Sequence, residues 1–291
     1  MRKTFALFFL TAACQTTPAP AVKDADVDAA HSDADGATAT DMADTSAAVA
    51  AGTCDALFGV PNAKTGLSAT QCQPKCTCGG KDFVPPTYSD AQAAALLAWQ
   101  LSDPPAQVTT DPYGVPGQRV AKPGQVCAFV RGPAATKTYS LQTFDSAAAA
   151  HAAGAQVTHA DGCGVCSSVA NLAVYMRHPD LTDPVRKCGF EPDKDASIAC
   201  LQALGFELPC AQIWYYNTQH TRDKCLGGCL AALSAPYHQP DGTLNSCLVC
   251  DEVESGPVFK AVAGRTRRNT GLPSSMCRPC SEVVPLVHVY L

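Results

Sequence analysis

The chain has few of the features that mark membrane-spanning and nucleic-acid-binding proteins. Only 16% of its 291 residues are charged and 7% are aromatic. An apolar run near the start, residues 5–10, is much shorter than the roughly 20 residues that a membrane-spanning helix needs. We find no internal repeat and no second linker within residues 53–291, so we expect a single domain there. No motif identifies a reaction.

Residues 15–52 contain no aromatic residue and consist mainly of Ala, Asp, Thr and Ser. Such a segment cannot bury enough apolar surface to offset the entropy lost on ordering it, so we predict a disordered acidic tether. One Lys and seven Asp give the tether a charge of −6, and the basic start adds +2, which leaves −1 of the total −5 for residues 53–291. A domain this close to neutral gives no electrostatic reason to expect nucleic-acid binding.

The start of the chain has the anatomy of an export signal. A basic start at Arg2 and Lys3 precedes the apolar run, and Thr-Ala-Ala then leads to Cys14, so residues 1–13 are expected to be a signal peptide. A Cys directly after two Ala residues resembles the bacterial lipobox, in which this thiol is lipidated and the segment before it is removed. The resemblance implies a lipid anchor on Cys14 and a cell-envelope location, and Gln15 after the Cys favours the outer membrane. The alternative is an ordinary cleavable signal followed by a bystander Cys.

Cysteine is abundant, and its parity supports this interpretation. Of the 17 Cys, lipidation of Cys14 would leave an even number in a chain exported to an oxidising compartment, so up to eight disulfides are possible. Three pairs have the spacing of dithiol–disulfide centres or zinc knuckles: Cys163 with Cys166, Cys247 with Cys250, and Cys277 with Cys280. Structural bridges are the favoured interpretation for an oxidising compartment, so neither a metal nor a cofactor is predicted.

The periodicities predict a single disulfide-rich α+β domain with more helix than sheet. Apolar residues at i, i+3, i+4 and i+7 give residues 166–176 one buried helical face. Further helices are expected at 194–204, about 209–233 and 257–268, and strands at 126–130, 137–144 and 283–290.

A Gly-rich bend before the 166–176 helix is the first candidate site. Backbone N–H groups at such a helix start stabilise an anion or a thiolate. The spacing of Cys163 and Cys166 resembles that around the nucleophile of papain-like cysteine proteases. The resemblance implies Cys166 as a nucleophile with a histidine base, either His159 or His288, and hence a thiol-dependent hydrolase. The alternative is a structural disulfide.

A basic cluster is the second candidate site. Lys260, Arg265, Arg267 and Arg268 stand close together in sequence around Gly264, which permits close approach of another segment. Arg suits bidentate recognition of carboxylates and phosphates. The alternative is a solvated face that answers nearby acidic residues.

The preferred hypothesis is a lipid-anchored envelope protein that binds a small anionic ligand or an envelope component. Its site would join the bend at 159–168 to the basic segment at 260–268. The polar residues Tyr216, Asn217 and His220 of the 209–233 helix could also line a pocket. The other hypotheses are the thiol-dependent hydrolase and a purely structural surface lipoprotein.

Overall fold

Helices dominate the fold of the computed structural model, which describes residues 56–77, 82–115 and 123–290. The described α-helices are α1 (Asp90–Leu96), α2 (Ala147–Ala152), α3 (Val169–Arg177), α4 (Thr182–Cys188), α5 (Lys194–Ala203), α6 (Leu208–Ala231), α7 (Ser246–Cys250), α8 (Gly256–Ala263) and α9 (Arg267–Thr270). The strands are β1 (Leu57–Phe58), β2 (Cys72–Gln73), β3 (Gln100–Leu101), β4 (Val126–Arg131), β5 (Thr138–Phe144), β6 (Gln156–Ala160) and β7 (Arg278–Pro279). The prediction of an α+β fold with more helix than sheet is confirmed. None of the described helices is long and apolar enough to span a membrane.

Side-chain caps fix where several helices begin. Ser89 and Gln92 form a reciprocal capping box at α1, and the Ser168 hydroxyl accepts from the Asn171 N–H at α3. The Asn245 side chain caps α7 in the same way. Each cap satisfies an N–H group that the helix itself leaves without a partner, so these boundaries follow from local sequence.

A four-stranded sheet with the order β3-β5-β4-β6 carries one side of the core. Strand β4 is antiparallel to β5 and β6, and β3 is parallel to β5. The buried rings of Phe129 and Tyr139 stack with centroids 4.7 Å apart and share one hydrophobic cluster with α1, α3, α5 and α6. In α3, Val169, Leu172 and Ala173 are almost fully buried, which confirms the predicted helical face.

Disulfides connect parts of the chain that are far apart in sequence. All fourteen Cys of the described residues are paired, in the bridges Cys72–Cys277, Cys76–Cys280, Cys127–Cys163, Cys166–Cys210, Cys188–Cys200, Cys225–Cys250 and Cys229–Cys247. The two bridges to α7 staple it against α6, and the first two hold the small sheet β2-β1-β7 together. The domain is therefore disulfide-rich, which is typical of proteins outside the cytoplasm.

These pairings rule out two alternatives that the Cys spacing had left open. No predicted pair bonds within itself: Cys247 and Cys250 bond to α6, and Cys277 and Cys280 bond to the segment around β2. The zinc and redox alternatives are wrong for these residues, because every sulfur concerned is held in a structural bridge to another element.

The helix expected at 257–268 is interrupted at Gly264. This residue adopts φ 74°, and a Cβ built on it would lie 2.5 Å from the backbone nitrogen of Gly164, so only Gly fits there. The predicted close approach at Gly264 is confirmed, but the helix ends there and α9 begins three residues later. The strand expected at 283–290 is absent from the described chain, where this segment has no regular structure.

Candidate ligand-binding site

A cavity of about 300 Å³ runs beside α6. One face of this helix lines it from Trp214 to Leu230, with Thr218, Arg222 and Leu226 between them. Residues three or four apart lie on the same side of a helix, so the cavity follows the α6 axis. Its other walls come from α4, from the segment around α7 and α8, and from α9.

A π-helical turn at Asp251–Ser255 joins α7 to α8 without a break. Such turns are rare and occur frequently at functional sites. This one brings Asp251 and Glu252 to the cavity wall. Burial raises the pKa of Asp251, whose carboxylate accepts hydrogen bonds from Thr221 and from Asn217 Nδ2 at 3.3 Å.

Glu252 lies at the centre of a basic cluster. Arg268 and Arg278 donate to its carboxylate, and the Lys260 Nζ lies 3.9 Å away. Arg268 also pairs with Glu282. Burial opposes the ionisation of Glu252, but these cations outweigh it and hold its pKa below the ordinary value. Lys260 and Arg268, which were predicted as ligand-binding residues, line the cavity. Both take part in this ion-pair network.

Arg267 lines the same cavity and differs from its neighbours in its partners. Its guanidinium donates to the backbone carbonyls of His178 and Pro273, the latter at 3.1 Å, and lies 5.5 Å from the centre of the Tyr175 ring. Among the described residues, no carboxylate forms an ion pair with it. Burial lowers the pKa of Arg267 to about 10, so it is still a cation at neutral pH.

Two polar atoms in the cavity wall lack hydrogen bonds. In the part of the chain that the structure describes, the hydroxyl of Tyr175 and the indole Nε1 of Trp214 are the buried side-chain polar atoms without a hydrogen-bond partner. Both residues line the cavity, and Tyr175 is only 2% exposed. Leaving a buried polar group without a partner costs roughly 1–3 kcal/mol. The Trp214 side chain nevertheless acts on the Tyr175 hydroxyl as a hydrogen-bonding group that opposes the rise in its pKa.

The polar residues predicted on α6 have different roles. Asn217 lines the cavity, and its Oδ1 accepts from the Tyr113 hydroxyl at 2.8 Å. The Tyr216 hydroxyl donates to the Thr109 carbonyl at 2.8 Å and does not line the cavity. His220 stacks on Tyr113 with ring centroids 4.1 Å apart, so of the three only Asn217 belongs to the site.

Arg265, predicted as a ligand-binding residue, is a core residue. It is 0% exposed and donates to the backbone carbonyls of Thr158, Cys166 and Ser167. The prediction is wrong because Gly264 ends α8 and directs Arg265 inward, away from Lys260 and Arg268. The Gly-rich bend at 159–168 and the basic segment at 260–268 do meet. They are joined by backbone hydrogen bonds, such as Val165 N to Val262 O at 3.0 Å, and pack directly against each other.

The predicted thiol nucleophile is also corrected. Cys166 is 0% exposed and is bonded to Cys210, so it carries no thiol. The Nε2 of His159 lies 2.7 Å from the Ser167 hydroxyl and that of His288 lies 2.8 Å from the Thr270 carbonyl. Both histidines are buried and neither lines the cavity. In this geometry the three residues hold the core together.

The buried histidines predict an acid-sensitive stability. Burial, assisted by Arg265, lowers the pKa of His288 to about 4, whereas the unfolded chain titrates near 6.5. The folded state thus binds fewer protons than the unfolded state between these values, so stability is complete above pH 6.5 and is lost as the pH falls towards 4. At about 1.4 kcal/mol per pH unit the loss from His288 is roughly 3 kcal/mol. Urea unfolding of the native chain and of His288→Gln at pH 7 and pH 4 checks this: equal losses in both would contradict it.

Arg278, Tyr175 and Trp214 were not predicted from the sequence as site residues, whereas Glu252 was among the acidic residues expected to answer the basic segment. Tyr175 and Trp214 stand among apolar positions of α3 and α6 and look like ordinary core residues. Arg278 lies between two Cys, where the bridge pattern dominates the interpretation. The acidic residues Asp251, Glu252 and Glu254 stand shortly before the basic segment, and their presence indicated an acidic partner without specifying which of them it would be.

Taken together, the described residues form a disulfide-rich α+β domain with a cavity that combines cationic and apolar walls. A model described as a family of unknown function (DUF8771) matches residues 194–286. The match spans α5 to β7 and includes all of α6, the π turn and the basic cluster. No curated protein and no solved structure matches the chain.

Proposed function

We propose that the domain binds a small anionic ligand in the α6 cavity. The observation that carries this proposal is Arg267, a cavity-lining guanidinium that is held by backbone carbonyls and forms no ion pair with a described carboxylate. A guanidinium has five N–H donors, and only two of its hydrogen bonds to described residues are present. Donors therefore remain for a carboxylate or phosphate, which Arg binds in a bidentate manner.

The charge of the cavity wall supports an anion rather than a cation. Six basic side chains line the cavity, and three carboxylates oppose them, one of which has a raised pKa. The basic residues are Arg186, Arg222, Lys260, Arg267, Arg268 and Arg278, and the acidic ones are Asp180, Asp251 and Glu252. A concave site of one dominant sign concentrates ligands of the opposite charge.

The proposal includes a lipid anchor in the cell envelope, on the outer membrane. Seven disulfides support an oxidising compartment. Because all fourteen Cys of the described residues are paired, the odd Cys of the 17 lies among Cys14, Cys54 and Cys78. Lipidation of Cys14 accounts for it. These three residues and the predicted tether lie outside the described part of the chain.

Arg267→Gln should weaken anion binding by about 10- to 100-fold, because one or more charge-assisted hydrogen bonds are lost. The measurement is an NMR titration of the full chain bearing Cys14→Ser, which removes the proposed lipid, with inorganic phosphate and with butanoate. Arg177→Gln is the matched control, since Arg177 is exposed and lies outside the cavity.

Arg267→Lys keeps the charge and should bind with an intermediate affinity. Thermal unfolding of each variant separates a folding defect from a binding defect. If neither anion binds the native sequence, or if Arg267→Gln binds both as tightly as Arg177→Gln does, the proposal is wrong. A purely structural lipoprotein would give the first of these results.

A further inference from the structure

The end of the cavity away from the basic cluster is apolar and open. Leu226, Leu230 and Leu233 lie at i, i+4 and i+7 along α6 and just beyond it, and each is at least 50% exposed. Phe190, after α4, is 69% exposed and faces the same cavity. Single exposed apolar residues are ordinary, but a contiguous group beside a cavity indicates a binding surface.

Buried apolar side chains continue this surface towards the cationic end. Leu181, Val185, Leu248 and Phe259 are each less than 9% exposed and line the same cavity. They connect the exposed leucines to the wall that carries Arg267 and the two unpaired polar atoms. One continuous cavity therefore has an apolar arm and a cationic arm.

We propose that the ligand is a single-chain anionic amphiphile, with its head group at Arg267 and its hydrocarbon chain along Leu226, Leu230 and Leu233. This inference rests on the proposed function and adds the chemical class of the ligand. The chain would cover apolar side chains that are otherwise in contact with water.

The dimensions of the cavity fit such a ligand. From Trp214 to Leu230 the wall follows sixteen residues of α6, about 24 Å at 1.5 Å per residue. One leaflet of a bilayer, which is half of roughly 30 Å, is the length of one lipid chain. The wall is thus long enough for a chain and its head group in line. A cavity of about 300 Å³ stands at the small end of ligand pockets, which favours one chain over two.

A free amphiphile explains the site better than a bilayer surface does. Tyr175 is only 2% exposed, and Arg267 is partly buried beside it. A flat membrane could contact the exposed leucines, but it could not deliver a head group to these two residues. The occupant must enter the cavity, so we assign it as a monomeric ligand.

The experiment is a chain-length series of n-alkyl carboxylates from butanoate to dodecanoate, each below its micelle concentration. The full chain bearing Cys14→Ser is titrated by calorimetry. Each added methylene that enters the apolar arm should tighten binding by about fourfold. Leu226→Gln combined with Leu230→Gln should remove most of this dependence on chain length. Leu97→Gln is the control, because Leu97 is 51% exposed and lies outside the cavity.

The possible failures are distinguishable. If butanoate and phosphate bind but affinity does not rise with chain length, the amphiphile inference is wrong and the proposed anion site stands. If phosphate binds but no carboxylate of any length does, the amphiphile inference is wrong and the anion site stands; if neither phosphate nor any carboxylate binds, both are wrong. If the protein sediments with anionic phospholipid vesicles and binds no monomeric carboxylate, the leucines contact a bilayer and the inference is overturned.

Discussion

Replacing Arg265 by methionine should lower the free energy of unfolding by about 4 kcal/mol, or prevent folding altogether. The guanidinium is 0% exposed, and its hydrogen bonds satisfy three backbone carbonyls and the Thr158 hydroxyl. Removing one member of a buried charged network costs roughly 3–5 kcal/mol, because the other groups are left without partners. These carbonyls belong to β6 and to the turn before α3. Losing the hydrogen bonds from Arg265 to them would therefore separate the sheet from the helices.

Urea unfolding followed by circular dichroism measures the effect of Arg265→Met. Arg177→Met is the matched control, because Arg177 is exposed at the end of α3 and its loss should change stability by less than about 0.5 kcal/mol. Arg265→Lys should be strongly destabilised too, since an ammonium cannot reproduce the planar fork. A stable Arg265→Met protein with unchanged unfolding would show that Arg265 is not a core residue and would reopen its assignment to the ligand.

Removing both Cys72–Cys277 and Cys76–Cys280 should cost about 2 kcal/mol more than the sum of the two single removals. Each bridge alone closes a long loop, of 205 and 204 residues respectively. While one bridge is present, the second bridge closes only the short ring of residues that lies between the two. Loop-closure entropy gives about 3 kcal/mol for that short ring and about 5 kcal/mol for the long loop. Replacing both Cys of one bridge by Ser should therefore lower the free energy of unfolding by about 3 kcal/mol, and removing both bridges should lower it by about 8 kcal/mol.

The control for this prediction is the bridge Cys188–Cys200, which spans 12 residues within another part of the fold. Its removal should cost about 3 kcal/mol and should add to the loss of Cys72–Cys277 without further coupling, because distant sites are additive. The free energies come from urea unfolding under oxidising conditions. Simple additivity for the two long-range bridges would show that they do not act as one staple.

Local sequence accounts for much of the fold. Ser89 and Ser146 cap the starts of α1 and α2, and the spacing of Val169, Leu172 and Ala173 gives the buried face of α3. These signals involve residues within one or two turns of each other. The fold class follows from them, and the abundance of Cys indicates the bridges but not their connectivity.

The site depends on contacts that no local signal contains. Gly264 takes a left-handed conformation against Gly164, which is one hundred positions earlier in the chain. That contact divides the basic cluster, sending Arg265 into the core and leaving Lys260, Arg267 and Arg268 at the cavity. Three of these four residues line the cavity, but the choice of Glu252 as the partner of Lys260 and Arg268, and the apolar arm, depend on how α6 packs.

The π turn at Asp251–Ser255 has a further consequence for the way this segment aligns with related sequences. Leu248, Glu252, Gly256 and Lys260 are spaced four apart and all line the cavity. In an uninterrupted α-helix, with about 100° per residue, the first and last would differ in direction by about 120°. The extra residue that a π turn accommodates reduces this difference to about 20°. A homologous chain with one residue fewer between Cys250 and Phe259 would therefore present a different set of side chains to the cavity. We expect an alignment gap at this position to separate homologues with this cavity wall from those without it.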